Sequence, residues 1–334
     1  LHGICELWCP LQSKLGEEVD YSVDEASLAV SHSPVVLEIV RLALACGADG
    51  FGGPLSRREL ALAAAAGTAS PRAAARVRAQ IRDGGDPLGD SLCKALVAAE
   101  RRKTGTFYTS AALVDPMIEW VLGERPERVI DPGCGSGRFS IAAARRIRSL
   151  PIIAVDVDPA ATLLTRAALA AVGARNARVL NGDYLTCQIP HTSGRTGFVG
   201  NPPYVRHHEL SARTKQRAAN LAARAGYRLS KLAGLHALFY LATFALHGRR
   251  GDIGSFVTSA EWLDVGYGSF VREAFVNGLG GRSLAVFDPR ALPFEDAMVT
   301  AVISTFEIGA RVEAVRANQI LSPNQLDRLE NGLT

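Results

Sequence analysis

"VIDPGCGSGRFS", Val129 to Ser140, decides the fold. An apolar run ends on Asp131; Gly133, Gly135 and Gly137 follow, and then an alanine-rich stretch. This order reads as strand, tight turn and helix, because glycine lets the backbone turn sharply and approach a ligand with no Cβ in the way. Loops of this kind often hold a diphosphate at a helix N-terminus. Here the strand ends on an acid, which repels a diphosphate and suits a cationic ligand.

From this stretch onward the pattern repeats. The runs "ERVIDPG", "IIAVDVDP", "ARVLNGD", "TGFVGNPPY", "GDIGSFVTS", "LAVFDP" and "VTAVISTFEI" alternate with helical segments. Such alternation predicts an α/β fold with a mostly parallel sheet covered by helices on both faces. Ligands of such sheets sit beyond the carboxyl ends of the strands. Asp156 ends the second run, where an acid accepts hydrogen bonds from both ribose hydroxyls. Asp183 ends the third, where a carboxylate accepts from an adenine amino group. A single aspartate at a strand end is ordinarily a cap or turn residue. Three in order behind a glycine loop point to S-adenosylmethionine, whose sulfonium and amino group would face Asp131.

"VGNPPYVRHH", Val199 to His208, closes the fourth run. Pro202 and Pro203 lack N–H donors and have fixed φ, so the strand must stop there. That holds Asn201 and Tyr204 on a stiff turn. The delocalised lone pair of an aromatic or amide nitrogen makes it a poor nucleophile. The Asn201 Oδ1 and the Pro202 carbonyl can accept its two hydrogens and favour a tetrahedral nitrogen, with the prolines fixing the geometry. The Tyr204 ring offers a face on which a base can stack.

These motifs resemble the γ-type N6-adenine DNA methyltransferases, a group rich in restriction-modification methylases. "GTFYTS" (Gly105 to Ser110) is similar to that family's first motif, and "DPGCGSG", "VDVDP", "GDY" and "NPPY" follow in the family's order. "GDIGSFVTSAEWL" and "LPFEDAMVTAVI" resemble its later segments, the second carrying an aromatic, Phe294, that would sandwich an extruded adenine opposite Tyr204. The resemblance implies a class I S-adenosylmethionine-dependent methyltransferase, with a Rossmann-like, seven-stranded, mostly parallel sheet that has one antiparallel strand, and an enzyme that methylates DNA adenine at N6. It implies cofactor contacts from Phe107, Tyr108, Thr109, Asp131, Gly133, Gly135, Asp156, Val157, Asp183, Tyr184 and Pro203. The catalytic set it implies is Asn201, Pro202, Tyr204 and Phe294. The chain departs from the family at "KLAGLHALFY", which replaces a more polar lead-in, and only a short segment follows Phe306 where a target-recognition domain is usual. Sequence reading would then fall to the N-terminal helices, to a separate specificity or restriction subunit, or to a further domain.

The remaining features fit a DNA partner. Between Arg206 and Lys231 stand seven basic residues against one acid, Glu209. A phosphate backbone would suit Arg206, His207, Arg213, Lys215 and Arg217, although a solvated helix face gives the same pattern. His207 and His208 lack a third ligand at metal spacing, so no metal is expected.

The expected organisation is a helical region over residues 1–100, a catalytic domain over 101–310, and a tail or the start of another domain over 311–334. Ser-Pro pairs at Ser33-Pro34 and Ser70-Pro71 read as helix starts. The two helices joined by residues 67–70 allow a helix-turn-helix with Arg72, Arg76, Arg78 and Arg82 on the second, or else an ordinary helical hairpin. Of the 334 residues, 48% are hydrophobic and 21% charged, which suits a large buried core and not a disordered chain. Six scattered cysteines, no apolar run of membrane-spanning length and a start unlike a signal peptide suggest a cytoplasmic protein with reduced thiols.

Three other classes share parts of the pattern. They are RNA-base methyltransferases with the same turn, protein-glutamine methyltransferases with the same turn, and a non-catalytic DNA-binding subunit with a methylase fold. C5 methylation of cytosine needs a Pro-Cys nucleophile, which the motifs do not supply.

Overall fold

The computed structural model describes residues 33–95, 109–264, 266–288 and 300–321. Phe107, Tyr108 and Phe294 lie outside the described residues.

The strand that leads into the glycine loop, β1 (Arg128–Pro132), is buried along its whole length. So are β4 (Thr196–Gly200) and β5 (Ile253–Ser259). Strands covered on both faces read as unbroken apolar runs, which is why they were legible as strands. With β2 (Ile152–Asp156), β3 (Ala177–Asn181), β6 (Gly281–Phe287), β7 (Ala301–Glu307) and β8 (Arg316–Ile320), they form one sheet in the order β3-β2-β1-β4-β5-β7-β6-β8. β1 to β5 pair in parallel, and β7 runs antiparallel to both β5 and β6.

The sheet thus has eight strands where seven were expected. The extra one, β8, pairs in parallel with the outer edge of β6, so the sheet continues past residue 310.

After β1 the chain builds outward through β2 and β3, then returns to the other side of β1 with β4. That reversal places the carboxyl ends of β1 and β4 side by side, the position where open α/β sheets bind ligands. The register pairs Val129 with Gly197 and Ile130 with Phe198. A Cβ on Gly200 would stand 3.1 Å from the Pro132 carbonyl oxygen and 3.4 Å from Asp131 Oδ1. The glycine loop and the Asn201 turn therefore leave the sheet in contact with each other.

Four N-terminal helices, α1 (Pro34–Ala45), α2 (Arg57–Ala66), α3 (Pro71–Arg82) and α4 (Pro87–Ala95), pack onto one face. Ser33 and Ser70 cap α1 and α3, and Ser56 with Glu59 forms a capping box on α2. Val40 of α1, Leu62 of α2 and Ile81 of α3 share a core with Leu163 and Ala167 of a sheet-covering helix, α7 (Pro159–Ala171). Arg166 of α7 is buried against them. Its Nε donates to Glu59 Oε1 at 2.8 Å, and its other nitrogens donate to the carbonyls of Phe51, Gly53, Pro54 and Val179.

The described N-terminal helices are thus built into the sheet's helical layer. This bears on the helix-turn-helix expectation. Arg78 donates to the Ala45 carbonyl and Arg82 to the Ala171 carbonyl, so two of the four arginines placed on a DNA-reading face instead dock α3 onto its neighbours. Among the described residues no helix is long and apolar enough to cross a membrane.

Candidate active site at the carboxyl edge of the sheet

Asp131 is the last residue but one of β1 and is fully buried. Its Oδ2 accepts from the N–H (3.0 Å) and the hydroxyl (2.7 Å) of Ser140, in helix α6 (Arg138–Arg146), while Oδ1 has no partner among the described residues. Burial raises its pKa to about 7. Asp131 therefore has one carboxylate oxygen committed to Ser140 and the other buried with no partner among the described residues.

All three loop glycines have positive φ: 69° at Gly133, 54° at Gly135 and 87° at Gly137. Side-chain-bearing residues adopt this region with strain. At Gly137 a Cβ would also meet Thr165 at 2.8 Å.

The Gly135 N–H donates to Asp156 Oδ2 at 2.9 Å, tying the glycine loop to the end of β2. Asp156 Oδ1 accepts from the Asp158 N–H at 2.9 Å, and burial raises the Asp156 pKa to about 6. Each oxygen keeps a lone pair for a ribose hydroxyl. Val157, next in sequence, is 50% exposed and can cover a ligand ring. Asp183 Oδ1 accepts from the Leu185 N–H, and burial raises its pKa as well. It lines a cavity of about 140 Å³ with Leu185, Arg217 and Leu238.

Tyr184 corrects an expectation. Its side chain is buried, its hydroxyl pairs with Thr243 Oγ1 at 2.9 Å, and its ring packs against Phe239 and His247. Its side chain is part of a buried apolar cluster with Phe198 and Phe239.

The Asn201–Tyr204 turn leaves β4 beside these groups. Pro203 packs against the loop, since a Cβ on Gly133 would lie 3.3 Å from its Cδ. Asn201 Nδ2 donates to Thr109 Oγ1 at 3.0 Å, and Asn201 Oδ1 is buried with no partner among the described residues. Thr109, expected to touch the cofactor, is buried and spends its hydroxyl on the turn. Tyr204 is half-buried, and burial pushes its phenol well above the ordinary range, so it stays neutral.

His236, which sequence reasoning missed, lies at the start of helix α9 (Leu235–Ala242), whose first N–H donates to the Val205 carbonyl. Its ring is buried, its Nε2 has no partner among the described residues, and burial lowers its pKa to about 4. The only sequence signal was the altered "KLAGLHALFY" segment.

Arg206, Arg213 and Arg217 are exposed, with Lys215 and His207 half-buried. Arg213, Lys215 and Arg217 belong to helix α8 (Ala212–Arg224), and the Arg217 charge favours the ionised form of Asp183. Among the described residues no group of three His, Cys, Asp or Glu side chains could hold a metal.

The sheet order, the positive-φ glycine loop and the strand-end acids define a class I methyltransferase, with S-adenosylmethionine as its cofactor. The unpartnered Asp131 oxygen and the free lone pairs of Asp156 fit that cationic, ribose-bearing molecule. The family model "Methyltransferase small domain" matches residues 109–232. The type II methyltransferase M.XamI of Xanthomonas campestris pv. amaranthicola is 41% identical over 251 residues, covering 75% of this chain and 45% of the relative. M.AccI of Acinetobacter calcoaceticus, also a type II methyltransferase, is 25% identical over 240 residues, covering 71% and 43%. A crystal structure of a putative class I S-adenosylmethionine-dependent methyltransferase from Listeria monocytogenes superposes with a TM-score of 0.60 at 14% identity, covering 93% of this chain and all of that one. The chain is thus similar in sequence to type II methyltransferases, and it spans less than half the length of these two curated relatives.

Proposed function

We propose that the chain transfers a methyl group from S-adenosylmethionine to the exocyclic N6 of an adenine swung out of double-stranded DNA, as the modification activity of a restriction-modification or phage-defence system. One observation carries the reading: the buried, unpartnered Asn201 Oδ1 at the end of β4, beside the glycine loop. A buried acceptor left unmade is costly, so its partner is expected to arrive with the substrate. An exocyclic amine supplies that donor.

In the proposed complex, one N6 hydrogen goes to Asn201 Oδ1 and the other to the Pro202 carbonyl, which leaves the nitrogen lone pair to face the methyl group. Bound S-adenosylmethionine supplies that methyl as an electrophile: the N6–C bond forms as the S–C bond breaks to a neutral thioether, and the surplus proton on N6 passes to water. Asn201 contributes most as the nitrogen becomes tetrahedral, because its hydrogen bond tightens there. Extrusion of the base costs a few kcal/mol. Stacking on Tyr204, and on Phe294 from the other side, offsets about 1–3 kcal/mol per contact. The basic residues of α8, with Arg206 and His207, meet the phosphates. Cytosine C5 chemistry is disfavoured at this site, because burial holds the Cys134 thiol far above the range in which a thiolate forms. Site selection rests with a specificity subunit or with segments beyond the catalytic unit, and the protein works in the cytoplasm on DNA.

The test is product identity. DNA incubated with the protein and labelled cofactor is digested and its nucleosides are separated. The reading expects N6-methyladenine. Label in N4-methylcytosine or 5-methylcytosine, or label only in RNA or in a release-factor glutamine, would overturn it.

A further inference from the structure

We propose that Thr109 is the positioning residue that sets the side-chain amide of Asn201 in its reactive orientation, an inference that rests on the methyl-transfer reading above. The terminal torsion of an asparagine is soft and roughly two-fold, so nothing intrinsic to the residue chooses which end of the amide faces the substrate. The choice matters. An inward-facing Oδ1 accepts from an amine, whereas an inward-facing Nδ2 opposes one donor with another. Thr109 Oγ1 takes the Nδ2 end at 3.0 Å and leaves Oδ1 buried with no partner among the described residues.

Thr109 is itself fixed. It is buried, and its carbonyl accepts from Arg138 Nη1 at 3.3 Å. The Arg138 guanidinium is clamped by Asp86 Oδ2 at 3.0 Å and Asp90 Oδ1 at 2.8 Å. Asp86 also accepts from the Ser136 hydroxyl of the glycine loop at 2.6 Å. One chain of bonds therefore runs from the glycine loop through Asp86, Arg138 and Thr109 to the Asn201 amide. It holds the loop that carries the methyl donor and the group that aims the acceptor in one geometry. Misplacement by about 1 Å between such groups can cost about 100-fold in rate.

The test compares Thr109→Val, which removes the hydroxyl at nearly constant volume, with Thr109→Ser, which keeps it. At saturating cofactor and DNA, the single-turnover rate should fall by about 10–100-fold in the valine variant and by no more than about threefold in the serine variant. Affinity for S-adenosylhomocysteine, read by calorimetry, should stay within about twofold in both. In an Asn201→Ala background Thr109→Val should have almost no further effect, because the two residues act as one unit.

A second readout needs no turnover. The side-chain amide resonances of Asn201, identified by their loss in Asn201→Ala, should be one sharp pair in the parent and the serine variant, and shifted or broadened in the valine variant. Weaker cofactor binding with an unchanged saturated rate would overturn the proposal and make Thr109 a cofactor contact. Equal impairment by valine and serine, or amide resonances indifferent to Thr109→Val, would also overturn it. Full activity in Asn201→Ala is a separate outcome: it would bring down the methyl-transfer reading, while the amide resonances would still decide whether Thr109 holds Asn201.

Discussion

The two halves of the site are built differently. In the glycine-loop half, polar atoms other than Asp131 Oδ1 are mostly spoken for: Asp131 Oδ2 by Ser140, both Asp156 oxygens by backbone N–H groups, and Asp86 by Ser136 and Arg138. In the catalytic-turn half, Asn201 Oδ1 and His236 Nε2 are buried with no partner among the described residues. Committed atoms hold a shape and leave only spare lone pairs for a ligand. Uncommitted buried atoms cost stability until a substrate completes them, and this is how a rigid scaffold carries a reactive centre. The comparison implies that mutations in the first half act mainly on stability or cofactor affinity, and mutations in the second mainly on rate.

The largest effect on the scaffold side is expected at the buried Arg166–Glu59 pair that joins α2 to α7. Glu59→Ala would leave Arg166 buried beside carbonyls with no anion, at a cost of about 3–5 kcal/mol. Denaturant unfolding monitored by fluorescence measures this. A loss below about 1 kcal/mol would mean that the N-terminal helices are only loosely joined to the sheet.

Much of this scaffold was legible from the sequence. Seven strands, three strand-end acids, the glycine turn and the Ser-Pro helix starts all have local signatures, either a period of apolar residues or a residue with a fixed backbone preference. The partnerships that organise the site have none. Thr109 and Asn201 stand 92 positions apart, and Arg166 and Glu59 107. No spacing rule links either pair, so Thr109 read as a cofactor contact and Arg166 as nothing in particular. The strand β8, "RANQI", is exposed over its first four residues and polar, so it lacks the alternation by which a half-buried strand is found. Tyr184 followed a strand-end acid and was assigned to the ligand. Its burial against Phe239 and His247 depends on a helix more than 50 residues away, which the sequence around it does not record.

A smaller effect sharpens the comparison through pH. Asp131 titrates at about 7 in the folded chain, against about 3.9 for an unperturbed aspartate. Between those values the folded state binds more protons than the unfolded state, so this group's contribution to stability is full below about pH 4 and is lost as pH rises through 7. Asp156, raised to about 6, acts in the same direction. The unfolding free energy should therefore decline between pH 5 and 8 more steeply in the parent than in Asp131→Asn. Identical slopes would show that Asp131 is ionised throughout and that its unpartnered oxygen is hydrated.

The central claim is that the uncommitted oxygen of Asn201 serves the chemical step and not the fold or the binding of either ligand. The most direct measurement is the single-turnover rate of methyl transfer to adenine-containing DNA by Asn201→Ala, taken with the affinities for S-adenosylhomocysteine and for DNA. Loss of one preorganised hydrogen-bonding group at a reacting centre typically costs about 100–1,000-fold in rate. The expected result is a loss of that size, with both affinities within about threefold of the parent and thermal stability unchanged or slightly raised. A variant that methylates at the parent rate, or one whose lost activity is matched by lost affinity or unfolding, would contradict it.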